Sequence, residues 1–315
     1  MLLESIASST RTTYSTGVKK YLDFCFAHHL ASRDNLLPAP TEQTLVYFVA
    51  SLQGQVQYQT IKLYLAAVSN FYTEHNQPIT TSSMLQLRRI LKGIQRTSGT
   101  PPRVRRPITI SILYEIVSVL RPSFSNDLDT VMLWAAFTSA FFGFLRVSEF
   151  THNSNTPFLA VNDATFIPNI ENPTAIQLKI KQSKTDPFRQ GTTLTITKSD
   201  SQICAVDALR DYILQRNPRN VQEPLFTLKD GEPFTRTILT SNLREILKLL
   251  GYPELEYAPH SFRIGAATTA AAANLPPWLI KTLGRWRSDC YEIYIRTPMS
   301  ILESVPKRLV SVINP

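Results

Sequence analysis

In HSFRIGAATTAAAANLPPWLIKTLGRWRSDCYEIYIR, residues 260 to 296, a histidine and an arginine stand three places apart where an alanine-rich helix should begin. On the first turn of that helix His260 and Arg263 share a face, beside backbone N–H groups that already favour an anion, so together they can grip one phosphate. HxxR alone equally suits a surface pair or a capping arrangement. Arg146, in GFLRVSEF, follows a segment too apolar to be anything but buried, and a guanidinium there must find a partner. Glu149 is the local partner. It can simply neutralise Arg146, or hold its planar fork so that the remaining donors face a phosphate. Lys184, in KIKQSKTDPFRQG, falls at the tip of a predicted hairpin, where a lysine either solubilises or, delivered by a flexible finger, protonates a leaving oxygen. Lys179 and Lys181 flank it. A tyrosine hydroxyl titrates near about 10 and needs a strongly positive pocket to act as a nucleophile. Tyr291 and Tyr294 are the two candidates, and the alternative for each is burial in a core.

Helices must carry most of these residues. Tyr14, Val18, Tyr21, Leu22 and Cys25 recur at helical spacing, and TEQTLVYFVASL, QTIKLYLAAVSNFYTEH and SSMLQLRRILKGIQR repeat the pattern. TSGTPPRVRRPIT, residues 97 to 109, ends it with glycine, prolines and arginines. The expected organisation is therefore a helical domain over 1–98, a basic proline-rich linker over 99–108, and a second domain over 109–315. The linker either lies along a phosphate backbone through Arg103, Arg105 and Arg106 or is a plain spacer. Helices are predicted at about 109 to 120 and 127 to 145; ATFIP, AIQLKIK and TTLTITK alternate as strands around the turn chemistry of SKTDPFRQG. From Ala205 onward the periodicity is helical. The fold class is mainly α with a small antiparallel β-sheet.

The chain has 315 residues, a net charge of +9 and 43% hydrophobic residues, enough for two packed domains. Residues 1 to 108 hold twelve Lys or Arg against five Asp or Glu, so most of the excess positive charge lies in the first third. That distribution suits a polyanion, with Lys19, Lys20, Arg88, Arg89, Lys92 and Arg96 as helical candidates for phosphate contact. Such contacts carry no base information by themselves. No run of about 18 apolar residues indicates a membrane span, and MLLESIASSTRTTY does not read as a secretory signal. Cys25, Cys204 and Cys290 form no zinc spacing, which leaves free thiols in a reducing compartment as the expectation. No GxxxxGK[ST] loop is present.

The order RxxE after a buried helix, SKTD between two strands, HSFR opening a helix, LGRW, then a tyrosine in YIR resembles the tyrosine recombinase (phage integrase-type) family across essentially the whole chain. SKTDPFRQG and LGRWRSDCYEIYIR look most like recombinases of eukaryotic mobile elements of the Crypton and DIRS type. The resemblance implies a SAM-like core-binding helical domain followed by a tyrosine recombinase catalytic domain. It implies Arg146 and Arg263 clamping the scissile phosphate, Lys184 as general acid, His260 as the proton-handling and phosphate-binding histidine, and Tyr294 as nucleophile. Trp286 would fill the family's histidine or tryptophan position, although the usual nine-residue spacing to the tyrosine runs from Arg285, and both remain candidates. Cleavage would proceed through a 3′-phosphotyrosine with no metal or other cofactor. The implied partners are double-stranded DNA and a homo-tetramer on two sites, in the nucleus. The tail after Tyr294, with Ile301, Leu302, Val305, Leu309, Val310 and Val312, would dock on a neighbouring subunit or on its own domain. A type IB topoisomerase and a domesticated, non-catalytic DNA-binding protein are the alternative functions.

Overall fold

The computed structural model describes residues 8–30, 40–97, 105–120, 127–154, 157–183, 186, 188, 190–295 and 305–306. The chain divides into compact units over Met1–Pro102 and Arg103–Pro315.

In the first unit, α1 (Ser8–Ala27), α2 (Glu42–Leu52), α3 (Tyr58–Glu74) and α4 (Leu85–Thr97) enclose one core. Tyr21, Phe24, Phe48, Val49, Ile61, Tyr64, Val68, Tyr72, Leu87 and Ile94 fill it. Each of its aliphatic and phenylalanine side chains stabilises the unit by roughly 1.5–3 kcal/mol on burial. Gly17 lets α1 approach α3, since a Cβ there would stand 2.9 Å from the Cβ of Ala67. The carboxylate of Glu42 accepts from the backbone N–H groups of Gln86 at 2.5 Å and Leu87 at 3.0 Å, satisfying orphan donors at the start of α4.

In the second unit, α5 (Ile110–Leu120) and α6 (Leu128–Phe142) lead to the short α7 (Val147–Phe150). Every residue of α6 from Val131 to Phe141 is buried, as its all-round apolar sequence requires. The helix stops at Gly143, and Phe144 adopts a left-handed φ of +47° that turns the chain toward Arg146. Strands β1 (Ala164–Ile167), β2 (Ala175–Ile180) and β3 (Thr192–Thr197) form an antiparallel sheet in sequence order, with Ile176 opposite Ile196 and Lys179 opposite Thr193. Ile176, Leu178, Ile180 and Ile196 face the core, while Lys179, Thr193 and Thr195 face out. This is the period-2 alternation that the sequence shows. The β2–β3 connection closes at Gly191, whose φ is +74° and whose N–H donates to the Asp186 carboxylate at 2.8 Å. The helices α8 (Ala205–Arg216), α9 (Arg236–Leu249), α10 (His260–Ala272) and α11 (Pro277–Leu283) follow, then a 3₁₀ segment over Asp289–Tyr294.

Residues 105–108, expected as the end of a linker, run instead within the second unit. Arg106 N–H donates to the Glu256 carbonyl and Ile108 N–H to that of Ser261, both at 3.0 Å, and Ile108 is fully buried. The reason is Gly265: a Cβ there would stand 1.7 Å from the Ile108 carbonyl oxygen, so only glycine lets α10 lie this close to the segment.

Candidate active site

α10 carries His260 and Arg263 on its first turn, as their spacing predicts. The alanines and Gly265 that follow let the helix pack tightly, with Phe262 against Phe137 of α6 at 5.0 Å between ring centres. Arg263 is consequently drawn inside and is only 1% exposed. Its Nη1 donates to the Phe144 carbonyl and its Nη2 to that of Gly284. Its guanidinium carbon lies 4.2 Å from the ring centre of Trp286, in cation–π range.

Arg146 caps α7. Its backbone N–H donates to Glu149 Oε2 and its Nη1 to Oε1, each at 2.9 Å, while Glu149 itself is buried. A third donor completes the arrangement. Arg285 Nη2 reaches Glu149 Oε2 at 2.6 Å and the Phe144 carbonyl at 3.3 Å, and its Nη1 reaches the Gly143 carbonyl at 3.1 Å. The Phe144 carbonyl thus accepts from both Arg263 and Arg285. Its position follows from the left-handed turn after α6.

Arg146, Arg263 and Arg285 outnumber Glu149, so the cluster carries excess positive charge. Burial pushes His260 down to about 4, helped by the charges of Arg263 and then Arg146, and leaves the imidazole neutral at pH 7. Burial also lowers Arg285 from the ordinary arginine value; Glu149 opposes that shift and Arg146 adds to it.

Trp286 is buried beneath Arg263, and Tyr291 packs against it at 6.0 Å between ring centres, itself only 5% exposed. Gly284 permits this fold-back, since a Cβ there would stand 1.6 Å from the indole. Lys281 Nζ pairs with Asp289 at 2.9 Å and fixes the start of the 3₁₀ segment. Tyr294 is the last residue of that segment, and its side chain lies outside the described residues. Lys184 and Arg103 also lie outside them. Lys181 pairs with the buried carboxylate of Asp163 at 2.6 Å and Lys179 is exposed.

The structure therefore brings together Arg146, Glu149, His260, Arg263 and Trp286, and adds the Phe144 carbonyl and the Glu149 contact of Arg285. Spacing had marked Arg285 only as the residue nine before Tyr294. Of the residues expected to meet phosphates, Lys19, Lys20, Arg88, Arg89, Lys92 and Arg96 are exposed on α1 and α4. Arg105 and Arg106 are engaged within the second unit: Arg105 Nη1 donates to the Leu255 carbonyl at 2.9 Å and Arg106 pairs with Glu256. The acidic turn at 254–256 lies opposite them, and the Arg106–Glu256 pair stays exposed to solvent.

No protein-family model matches the chain. Among solved structures it is similar to the XerH site-specific recombinase bound to palindromic difH substrate in a post-cleavage complex. That match has a TM-score of 0.67 and 16% identity, covering 94% of this chain and 78% of that one. The Tn1549 transposon integrase in complex with transposon right end DNA matches with a TM-score of 0.61 and 16% identity, over 97% of this chain and 95% of that one. The fold is that of the tyrosine recombinases. A sequence relative points the same way: the integrase/recombinase XerD homolog of Selenomonas ruminantium is 25% identical over 303 residues, 91% of this chain and 81% of that protein. Together these likenesses support the tyrosine recombinase/integrase family. Within the tyrosine recombinase fold the arginine cluster occupies the junction of α7, α10 and the turn after α11.

Proposed function

We propose that this chain is a site-specific DNA recombinase that cuts and rejoins strands through Tyr294. One observation carries the reading. Arg146 lies more than a hundred residues before His260 and Arg263, yet the three gather with excess positive charge beside Trp286, whose ring packs on Tyr291 in the segment that ends at Tyr294. A diester gains negative charge as it is attacked, and preorganised guanidiniums stabilise that extra charge more than the ground state. The Tyr294 oxygen attacks phosphorus, the bond to the 5′ oxygen breaks, and a 3′-phosphotyrosine remains; Lys184 protonates the departing 5′ oxygen. His260, neutral at pH 7, accepts the phenolic proton or donates its ring N–H to a phosphoryl oxygen. A second strand's 5′ hydroxyl then reverses the attack. The bond energy stays in the adduct, and this chemistry requires no metal.

The DNA complexes of XerH and the Tn1549 integrase support double-stranded DNA as the partner. The finer parts of the proposal are four protomers on two sites, membership of the Crypton and DIRS type, and a nuclear location. The last two rest on the wording of SKTDPFRQG and LGRWRSDCYEIYIR.

A specific observation favours a second reading. Arg263 is only 1% exposed, packed against Trp286 with both terminal nitrogens on carbonyls, so with the 284–286 turn closed it lends the site its charge rather than a direct phosphate contact. A DNA-binding protein without chemistry would keep that turn closed. A duplex selected by the full chain from a randomised pool, nicked beside its centre so that the leaving strand diffuses away, separates the two. Covalent adduct is expected from the native protein and from Tyr291→Phe, and none from Tyr294→Phe. Binding with no adduct from the native protein would establish the non-catalytic reading.

A further inference from the structure

Two local costs coincide at Arg285. Its φ is +54°, left-handed for a side chain with no special tolerance of that region, and its Nε is buried without a hydrogen-bond partner among the described residues. Strain of this kind persists where the surroundings over-determine a residue, and here they do. The guanidinium is clamped at three acceptors: the Glu149 carboxylate and the carbonyls of Gly143 and Phe144. All three flank Arg146, Gly143 and Phe144 on the turn before it and Glu149 on α7 after it. Both terminal nitrogens are so engaged, and the fork is committed to that turn rather than to a phosphate.

We propose that Arg285 is a positioning residue: it ties the turn leading to Tyr294 onto Glu149, so that the nucleophile-bearing segment and Arg146 are held in register through one shared carboxylate. This rests on the reading of Tyr294 as nucleophile. Glu149 is the hub because its two oxygens are divided, Oε1 to Arg146 and Oε2 to Arg285 and the Arg146 backbone. From Arg285 the constraint passes along the chain to Trp286, whose ring meets Tyr291, and to Asp289, which Lys281 holds. The fork geometry matters more than the charge. A lysine would reach one acceptor as a point charge and could not bridge the carboxylate and the two carbonyls.

The test uses the full chain and the nicked duplex above, with Arg285→Met, Arg285→Lys, Glu149→Gln and the Arg285→Met/Glu149→Gln double variant. Duplex affinity, the rate of adduct formation and amide hydrogen exchange over 284–295 are measured for each. Arg285→Met should slow adduct formation about 10- to 100-fold, the scale of a small misplacement of reacting groups, while affinity changes by less than about threefold. Arg285→Lys should recover part of the rate. The double variant should be no slower than the slower single variant, because both act through one carboxylate. Exchange over 284–295 should quicken in Arg285→Met while α6 stays protected. Adduct formation at the native rate in a folded Arg285→Met protein overturns the proposal. So does an affinity loss matching the rate loss, which would make Arg285 a direct phosphate contact. If Arg285→Met does not fold, Arg285→Lys decides: slower cleavage at unchanged affinity supports the proposal, and unchanged cleavage overturns it. If the native protein forms no adduct, the recombinase reading fails, and the exchange measurement alone decides whether Arg285 tethers the segment.

Discussion

At the residue scale, His260 links electrostatics to a measurable pH dependence. Its folded value is depressed to about 4 by burial first, then by Arg263 and Arg146, against about 6.5 in an unfolded chain. Between these values the unfolded chain holds a proton that the folded chain lacks, so stability rises with pH across that window. The contribution of neutral His260 is complete above about pH 6.5 and is lost as the pH falls toward 4. The melting temperature of the native protein should therefore drop more steeply from pH 7 to pH 4 than that of His260→Gln; parallel curves would reject the half-buried, neutral imidazole. A bound phosphate acts the other way, since its negative charge favours the protonated ring. DNA binding near pH 5 should accordingly take up protons, visible as a dependence of binding heat on buffer ionisation enthalpy.

Residues such as His260 and Arg263 are legible in sequence because their relation is local: three positions on a helix set one face. Arg285 is not legible in that way. Its partner Glu149 stands more than a hundred positions earlier, and the contact needs left-handed backbone at both Phe144 and Arg285, which neither residue type advertises. Gly284 is the one local signal, because a Cβ there would collide with the Trp286 ring.

At the element scale, helices and strands follow the periodicity closely where one face is buried. The sheet β1–β2–β3 matches the alternation of ATFI, AIQLKI and TTLTIT, and α6 matches an apolar run that admits no solvent face. The segment 105–108 reads as a spacer because it is short, proline-flanked and basic, with no period to reveal that Ile108 is core. Its burial depends on Gly265, far along the chain. Gly265→Ala should push the 105–109 segment off α10, costing about 1–3 kcal/mol as overpacking typically does. The check is a lower urea midpoint at unchanged m-value. A variant as stable as the native protein would mean that the segment is not held against α10.

At the scale of the whole molecule, the uneven charge becomes an argument about affinity. On α4, Leu87 and Ile94 turn into the core while Arg88, Lys92 and Arg96 recur every fourth residue and remain exposed, forming one basic ridge. A ridge that solvates the surface would not change how binding responds to salt. A ridge that meets phosphates releases a counterion from each one it neutralises, so replacing its residues must flatten the dependence of log K on log salt by about 0.9 for every phosphate left unneutralised. Arg88→Ala, Lys92→Ala and Arg96→Ala combined should weaken binding to every duplex tested, by a similar factor for matched and unmatched sequences, because backbone contacts position without specifying. Exposed side chains away from caps and core change stability by only about 0.5 kcal/mol each, so the melting curve should barely move. A salt slope identical to that of the native protein would show that α4 faces away from the DNA, and would shift the weight of recognition in this unit to Lys19 and Lys20 on α1.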